Sequence, residues 1–356
     1  MQLGNRTVPA PDVLNKLQAA QAARQLAGAW LAVVSLGLLA LILIGGLTRL
    51  TNSGLSITEW QPILGVVPPL DEDSWSRAFT KYQAIPQYRQ VTAGISLADF
   101  KTLYWWEWTH RLIGRAIGFL FLVPGLLLAG LGKIDRKLWP RLIVIFSLGA
   151  LQGVLGWWMV QSGLSERVSV SQYRLAAHLG LAVLVYGAVL WTTFYLLDSG
   201  HSARWQQRRM TLHVWSAIAL TYVQMLLGAL VAGLHAGLID NSWPLMDGAW
   251  IPDGLFASSH SVFEDPTTVQ FDHRLGAYLV LIVVLSLWFR LSRCPGEHFV
   301  RNRVHLAMLL AITQFALGIA TLVEAVPLPI AAFHQGGAIL LFTALLWLAH
   351  GLTRHG

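Results

Sequence analysis

The chain has 356 residues, 55% hydrophobic and only 12% charged, with a mean hydropathy of +0.54. That composition excludes an ordinary soluble domain and fits a polytopic membrane protein. The formal charge of +7 would suit a nucleic-acid binder, but its distribution makes it a topology signal and excludes nucleic acid as a partner. The single cysteine, Cys294, excludes an intrachain disulfide and any cysteine-rich metal site.

In chain order, residues 1–27 are polar and Ala/Gln-rich and read as a short cytoplasmic tail before an uncleaved first span. Apolar runs follow at 28–49, 108–131, 140–161, 175–197, 212–234, 273–291, 304–323 and 331–352. Each is long enough to cross a hydrocarbon core of about 30 Å, so the fold class is an all-α membrane protein with eight transmembrane helices. The run 304–323 is the weakest, because Thr313 and Gln314 interrupt it and Glu324 borders it.

The loop 50–106 is long and rich in aromatics: Trp60, Trp75, Tyr82, Tyr88, Tyr104, Trp105 and Trp106. Loops of this length usually carry their own structure. Asp73 to Ala84 predicts a short amphipathic helix stopped near Pro86, and Ser96-Leu97-Ala98-Asp99 predicts an N-terminal capping box on a helix that runs into the second span. Most of the rings are expected to form an interfacial aromatic belt.

Basic residues alternate sides. Arg6, Lys16 and Arg24 precede the first span, and Lys133, Arg136, Lys137 and Arg141 follow the second. Arg204, Arg208 and Arg209 follow the fourth, Arg290, Arg293, Arg301 and Arg303 the sixth, and Arg354 the eighth. The loop 235–272 has no Lys or Arg and carries Asp240, Asp247, Asp253, Glu264, Asp265 and Asp272. The positive-inside rule then puts both termini in the cytoplasm.

The sequence also repeats internally. Gly45-Gly46-Leu47 through Asn52-Ser53-Gly54-Leu55 matches Gly228-Ala229-Leu230 through His235-Ala236-Gly237-Leu238. Glu107-Trp108-Thr109-His110-Arg111 returns as Gln270-Phe271-Asp272-His273-Arg274, and Leu151 to Gly156 corresponds loosely to Thr313 to Gly318. Ala177-His178-Leu179-Gly180 matches Phe333-His334-Gln335-Gly336. Spans one to four and five to eight are therefore two copies of a four-helix unit in the same orientation, related by a pseudo-twofold along the membrane normal. The units are 28–197 and 212–352, joined by a cytoplasmic linker 198–211.

Of the twelve histidines, His201, His213, His298, His305, His350 and His355 fall at the cytoplasmic side and read as solvated or interfacial. His235 and His260 read as loop surface. His110, His178, His273 and His334 open the even-numbered spans at matched positions, two per unit. Histidine inside a membrane is costly unless paired or ligating. Two imidazoles on facing helices suit the axial positions of a heme iron better than zinc, which wants further ligands close by. Arg49, Arg111, Arg115, Arg174 and Arg274 sit at the outer ends of spans, where guanidinium groups suit propionate carboxylates. Gly45, Gly46, Gly114, Gly118, Gly153, Gly156, Gly180 and Gly228 would admit a flat macrocycle or a close helix.

Four stretches together resemble the heme A synthase family: Gly46 to Ser56 with Glu59-Trp60 and Pro62, Glu107 to Arg111, Asn241 to Gly248, and Phe271 to Gly276. The resemblance runs from about residue 28 to 350 and is to the branch without outer-loop cysteines, like proteobacterial and mitochondrial forms. It implies an eight-helix pseudosymmetric bundle in a bacterial inner membrane, with its heme sites towards the periplasmic side. It implies a cofactor heme b between His273 and His334, with Arg274 nearby. It implies a substrate site for heme O near His110 and His178, with Arg49, Arg111, Arg115 and Arg174 around it, all four histidines being axial ligands to iron. Glu107 is then the expected catalytic group, since it exchanges a proton where Gln270 cannot. The implied reaction oxidises a ring methyl of heme O to the formyl of heme A through hydroxylated intermediates. Heme O synthase and terminal-oxidase assembly factors are the partners the resemblance suggests, beside the lipid bilayer and a homo-oligomer. Two other readings stay open: a di-heme b electron-transfer cytochrome, and a heme-handling protein without chemistry.

Overall fold

A computed structural model describes residues 11–197, 208–255, 261–293 and 298–353. Its helices are α1 (Pro11–Leu50), α2 (Glu72–Gln83), α3 (Pro86–Gln90), α4 (Leu97–Gly130), α5 (Trp139–Gln161), α6 (Gln172–Leu197), α7 (Arg208–Gly233), α8 (Ser261–Glu264), α9 (Pro266–Leu291), α10 (His298–Val323) and α11 (Leu328–Thr353). Eight helices among the described residues are long and apolar enough to span a membrane, so the expected all-α membrane fold holds. The only β pairing among the described residues is an isolated bridge between Met246 and Ala249. Residues 198–207 of the linker, and Arg6, His201, Arg204, His260, Cys294, Arg354 and His355, lie outside the described residues.

The first span departs from expectation at its start. α1 is 40 residues long, about 60 Å at 1.5 Å per residue, and so overshoots a bilayer core. Residues 11–27, expected as a tail, are helical because Ala, Gln and Leu dominate them and all are good helix formers. Arg24 ties this extension to the end of α6 by donating from Nε to the Leu196 carbonyl at 3.1 Å.

Within each unit the first and fourth spans lie inside and the second and third lie outside. α6 and α11 are the most enclosed of the eight and α4, α5 and α10 among the least. α6 packs against α1 and α5 of its own unit and α7 and α11 of the other, and α1 touches α11, so the two units share a central seam. One apolar core, around Val183, Val214, Val284 and Leu345, fills the seam and second unit. Another, around Leu31, Val34, Ile117 and Val189, fills the first.

The long first loop forms as the capping signals predict. Asp71 and Ser74 close a capping box on α2, Pro86 opens α3, and Ser96 and Asp99 close a second box on α4, which continues unbroken into the span. The aromatic belt is corrected. Trp75, Tyr82, Phe100 and Tyr104 are buried with Leu55, Ile85 and Val170 in a core of the loop's own, and Tyr88 packs against it. Trp60 and Trp105 remain exposed. Trp75, Tyr82 and Tyr104 thus help to fold the 46-residue connection between α1 and α4, residues 51–96, against the outer ends of α4, α5 and α6.

Candidate functional site

Each of the four matched histidines rests on a glycine of the preceding span. A Cβ built on Gly45 would meet the His110 ring at 2.8 Å, one on Gly156 His178 at 3.0 Å, one on Gly228 His273 at 3.2 Å, and one on Gly318 His334 at 2.9 Å. These glycines are therefore seats for imidazole edges, and only hydrogen fits between ring and backbone. Gly45, Gly156 and Gly228 were expected to allow such an approach; Gly318 was not singled out. Gly118 and Gly153 face nothing within 4 Å, and Gly180 admits Tyr222 and Leu226 of α7 at the seam.

A second partner was not foreseen. Gln152 donates to His178 Nδ1 at 3.1 Å and to the His178 carbonyl at 2.9 Å. Gln224 does the same to His273 at 3.0 and 2.8 Å, and Gln314 to His334 at 3.0 and 2.8 Å. Each glutamine sits one turn before its glycine, so one helix face carries both the amide and the seat. The signal was present as the spacing Gln-x3-Gly at 152–156, 224–228 and 314–318. In the remaining pair the position is Leu41, one turn before Gly45, and His110 Nδ1 is buried without a hydrogen-bond partner.

The rings of His273 and His334 face each other with centroids 6.4 Å apart and planes at 85°. Metal–imidazole bonds of about 2 Å on opposite sides of one ion would set ring centroids about 6 Å apart. His110 and His178 are close enough to interact electrostatically. All four histidines keep intermediate accessibility inside an apolar bundle. No cluster of three or more His, Cys, Asp or Glu occurs among the described residues, which disfavours zinc and leaves paired imidazoles. The facing rings of His273 and His334 fit a heme between them, and His110 and His178 bring the same donors to the first unit.

The motif residues around the histidines organise the loops above them. Glu107 is buried; its Oε2 accepts from Ser56 Oγ at 2.8 Å and the Ile57 amide at 2.7 Å, and its Oε1 pairs with Arg111 at 2.5 Å. Arg111 also donates to the carbonyls of Ile57 at 2.8 Å and Glu59 at 2.9 Å. In the second unit Gln270 donates to the carbonyls of Ala236 at 2.9 Å and Asp240 at 3.0 Å. Arg274 donates to the carbonyls of Asp240 at 2.9 Å and Ser242 at 3.0 Å, and to Gln270 Oε1 at 3.3 Å. The Glu/Gln difference thus tracks hydrogen-bond polarity: the first loop offers Glu107 an O–H and an N–H, and the second offers Gln270 two carbonyls. The Asp240 carboxyl sits below its ordinary range; burial opposes this, but hydrogen bonds from the Ser242 amide and hydroxyl prevail.

The other arginines are similarly committed. Arg115 holds the Pro62 and Gln61 carbonyls at 2.9 Å each, with Nη1 buried and unpartnered. Arg174 donates to the Trp158 carbonyl at 2.7 Å and lies over the Trp158 ring at 4.3 Å. Arg49 reaches across the seam to the Ala232 carbonyl at 2.6 Å and His235 Nε2 at 2.9 Å, and within its own unit to Asn52 Oδ1 at 3.3 Å. Asn52 and His235 are equivalent in the repeat and share a left-handed backbone, φ 55° and 54°, so Arg49 joins the two units at matching corners. His235 is exposed in the outer loop, as expected, and is an inter-unit partner as well. His350 also departs from expectation, being buried with its ring 5.2 Å from Trp191.

Two four-helix units, each offering a glycine-seated histidine pair inside a membrane bundle, define a multi-pass membrane protein of the paired-histidine type. The chain belongs to the cytochrome oxidase assembly protein family (COX15-CtaA), whose model matches residues 28–346. It is 48% identical to the heme A synthase of Parvibaculum lavamentivorans over 331 residues, covering 91% of this chain and 94% of that one. It is 46% identical to that of Nitrosospira multiformis, covering 91% and 93%, and 48% identical to that of Sinorhizobium medicae, covering 87% and 85%.

Proposed function

We infer that this chain is a heme A synthase that oxidises a ring methyl of heme O to the formyl group of heme A through hydroxylated intermediates. Family membership carries the enzyme assignment. The observation that carries the division of labour is two histidine pairs of like construction with unlike surroundings. His273 and His334 hold a resident heme b, whose chemistry is one-electron transfer. His110 and His178 receive the substrate on the first unit. Glu107, one turn before His110 and Arg111, is the acid–base group of that unit, and its pairing with Arg111 fixes the carboxylate beside the substrate. Arg115 has an unpartnered guanidinium nitrogen to offer a propionate. Arg111 and Arg274 act on the loops that roof the two sites and through them on propionate binding, and Arg49 and Arg174 set the walls of the first site. The Lys and Arg distribution supports cytoplasmic termini and heme sites towards the periplasmic face. Heme O synthase and terminal-oxidase assembly factors are the partners this reaction would meet before and after the enzyme.

The test is extraction and chromatography of the bound pigments. Heme B together with heme O, heme A or a hydroxylated intermediate is expected. His273→Ala or His334→Ala should remove the low-spin heme b signal while leaving the substrate pigment. Heme B alone at two per chain would make the protein a di-heme cytochrome instead.

A further inference from the structure

The two histidine pairs differ at one ligand. Three histidines are tied to the neighbouring helix by a glutamine that grips both the ring Nδ1 and the histidine's own carbonyl. An imidazole that ligates through Nε2 carries its proton on Nδ1, and a partner there fixes ring orientation and strengthens the ligand. The Oε1 atoms of Gln152, Gln224 and Gln314 are buried and unpartnered, so each amide, turned about its terminal bond, accepts that proton in place of its own donation to Nδ1. The Leu41 side chain supplies neither donor nor acceptor to His110. The Leu41 backbone carbonyl faces the His110 ring as the Gln224 and Gln314 carbonyls face His273 and His334, so the asymmetry lies in the side chain alone.

A second asymmetry falls on the same helix. In the second unit α9 lies along α10, whereas in the first α4 and α5 barely touch. Gly118 of α4 and Gly153 of α5 have no neighbours within 4 Å. α4 is held to α1 by the Trp30 indole, which donates to the Leu120 carbonyl at 2.8 Å, but it lacks a glutamine tie at His110 and has little support from α5.

We propose that His110 is the displaceable axial ligand of the protein and that Leu41 is the residue that makes it so, letting the first unit exchange its heme while the second keeps its own. Leu41 is a positioning residue that acts through His110. A heme consumed as substrate must arrive and leave, and one axial arm has to release at modest cost. The glutamine ties make release costly at the other three positions. This inference rests on the proposed assignment of a heme to each unit.

The experiment follows transfer of heme from the purified full-length protein to an excess of apo-globin, read from the Soret band. The parent protein should show two pools, a fast one abolished by His110→Ala and a slow one abolished by His273→Ala. Leu41→Gln installs the missing tie and should slow the fast pool by about 10–100-fold, the usual range for an outer-shell ligand partner. Gln224→Leu should speed the slow pool by a similar factor and leave the fast one unchanged. Should Leu41→Gln fail to fold, Gln224→Leu decides alone. Two pools whose rates ignore both substitutions would overturn the role of position 41 and leave the assignment of the units standing. A single pool indifferent to His110→Ala would overturn both.

Discussion

Replacing Glu107 by Gln removes a charge but keeps the shape, and its effect can be worked from the contacts. The carboxylate accepts from Ser56 and the Ile57 amide on one oxygen and from Arg111 on the other. A glutamine can keep its oxygen towards Ser56 and Ile57, but its NH2 then faces the Arg111 guanidinium, donor against donor. One charge-assisted hydrogen bond is lost, worth about 1.5–3 kcal/mol. Arg111 still has the Ile57 and Glu59 carbonyls, so the loss stays local. At 1.4 kcal/mol per decade, exchange of the Ile57 amide should rise about 10–150-fold. Loss of a general base costs about 10²–10⁴-fold in product formation. Ser56→Ala separates the two effects, because it weakens the same anchor and leaves the carboxylate. If Glu107 handles a proton, heme A formation should collapse in Glu107→Gln and fall by less than about tenfold in Ser56→Ala. Equal losses in the two variants would make Glu107 a loop anchor only. Unchanged Ile57 exchange in Glu107→Gln would refute the anchoring argument itself.

Other outcomes follow from the same contacts. Gly228→Ala puts a methyl against the His273 ring, 3.2 Å from its nearest atom, and should displace the imidazole and lower heme retention, read as the ratio of Soret to protein absorbance. Arg274→Ala frees the Asp240 and Ser242 carbonyls and should raise protease sensitivity of the 240–248 loop; Arg274→Lys, which cannot span both carbonyls, should recover only part of the protection. Burial, then Arg49, hold the His235 imidazole below its ordinary range. A depressed folded value means that the contact is fully present above about pH 6.5 and is lost as pH falls through the folded value. Thermal stability should therefore drop on acidification, and His235→Asn should flatten that dependence.

Much of this is legible in the sequence. Spans, repeat, capping boxes and the four histidines are written in periodicity and spacing, which act locally. The aromatic loop was misread because Trp75, Tyr82 and Tyr104 look alike whether they meet lipid or each other; only the fold decides. The glutamine ties were missed for a related reason. Gln314 interrupts an apolar run and reads as weakness in a span, whereas it, like Gln152, offsets its cost in the membrane by gripping a neighbouring helix. His350 was misplaced because a position near a helix end says nothing of what packs over it.

The remaining asymmetries converge on one helix. Glu107 in place of Gln270, Leu41 in place of Gln224, the open side towards α5, and the long folded connection from α1 all concern α4 or its immediate neighbours. The other members of the repeat keep their partners: three glutamine ties, four glycine seats and two arginine clamps to equivalent loop carbonyls. A duplicated bundle can gain chemistry in one unit without weakening the other only if the changes spare the shared seam. α4 satisfies that condition, since it is among the least enclosed spans and lies on the side of α1 away from α7 and α11, with which it makes no substantial contact. α6 could not have been altered in the same way, because it packs against both units at once.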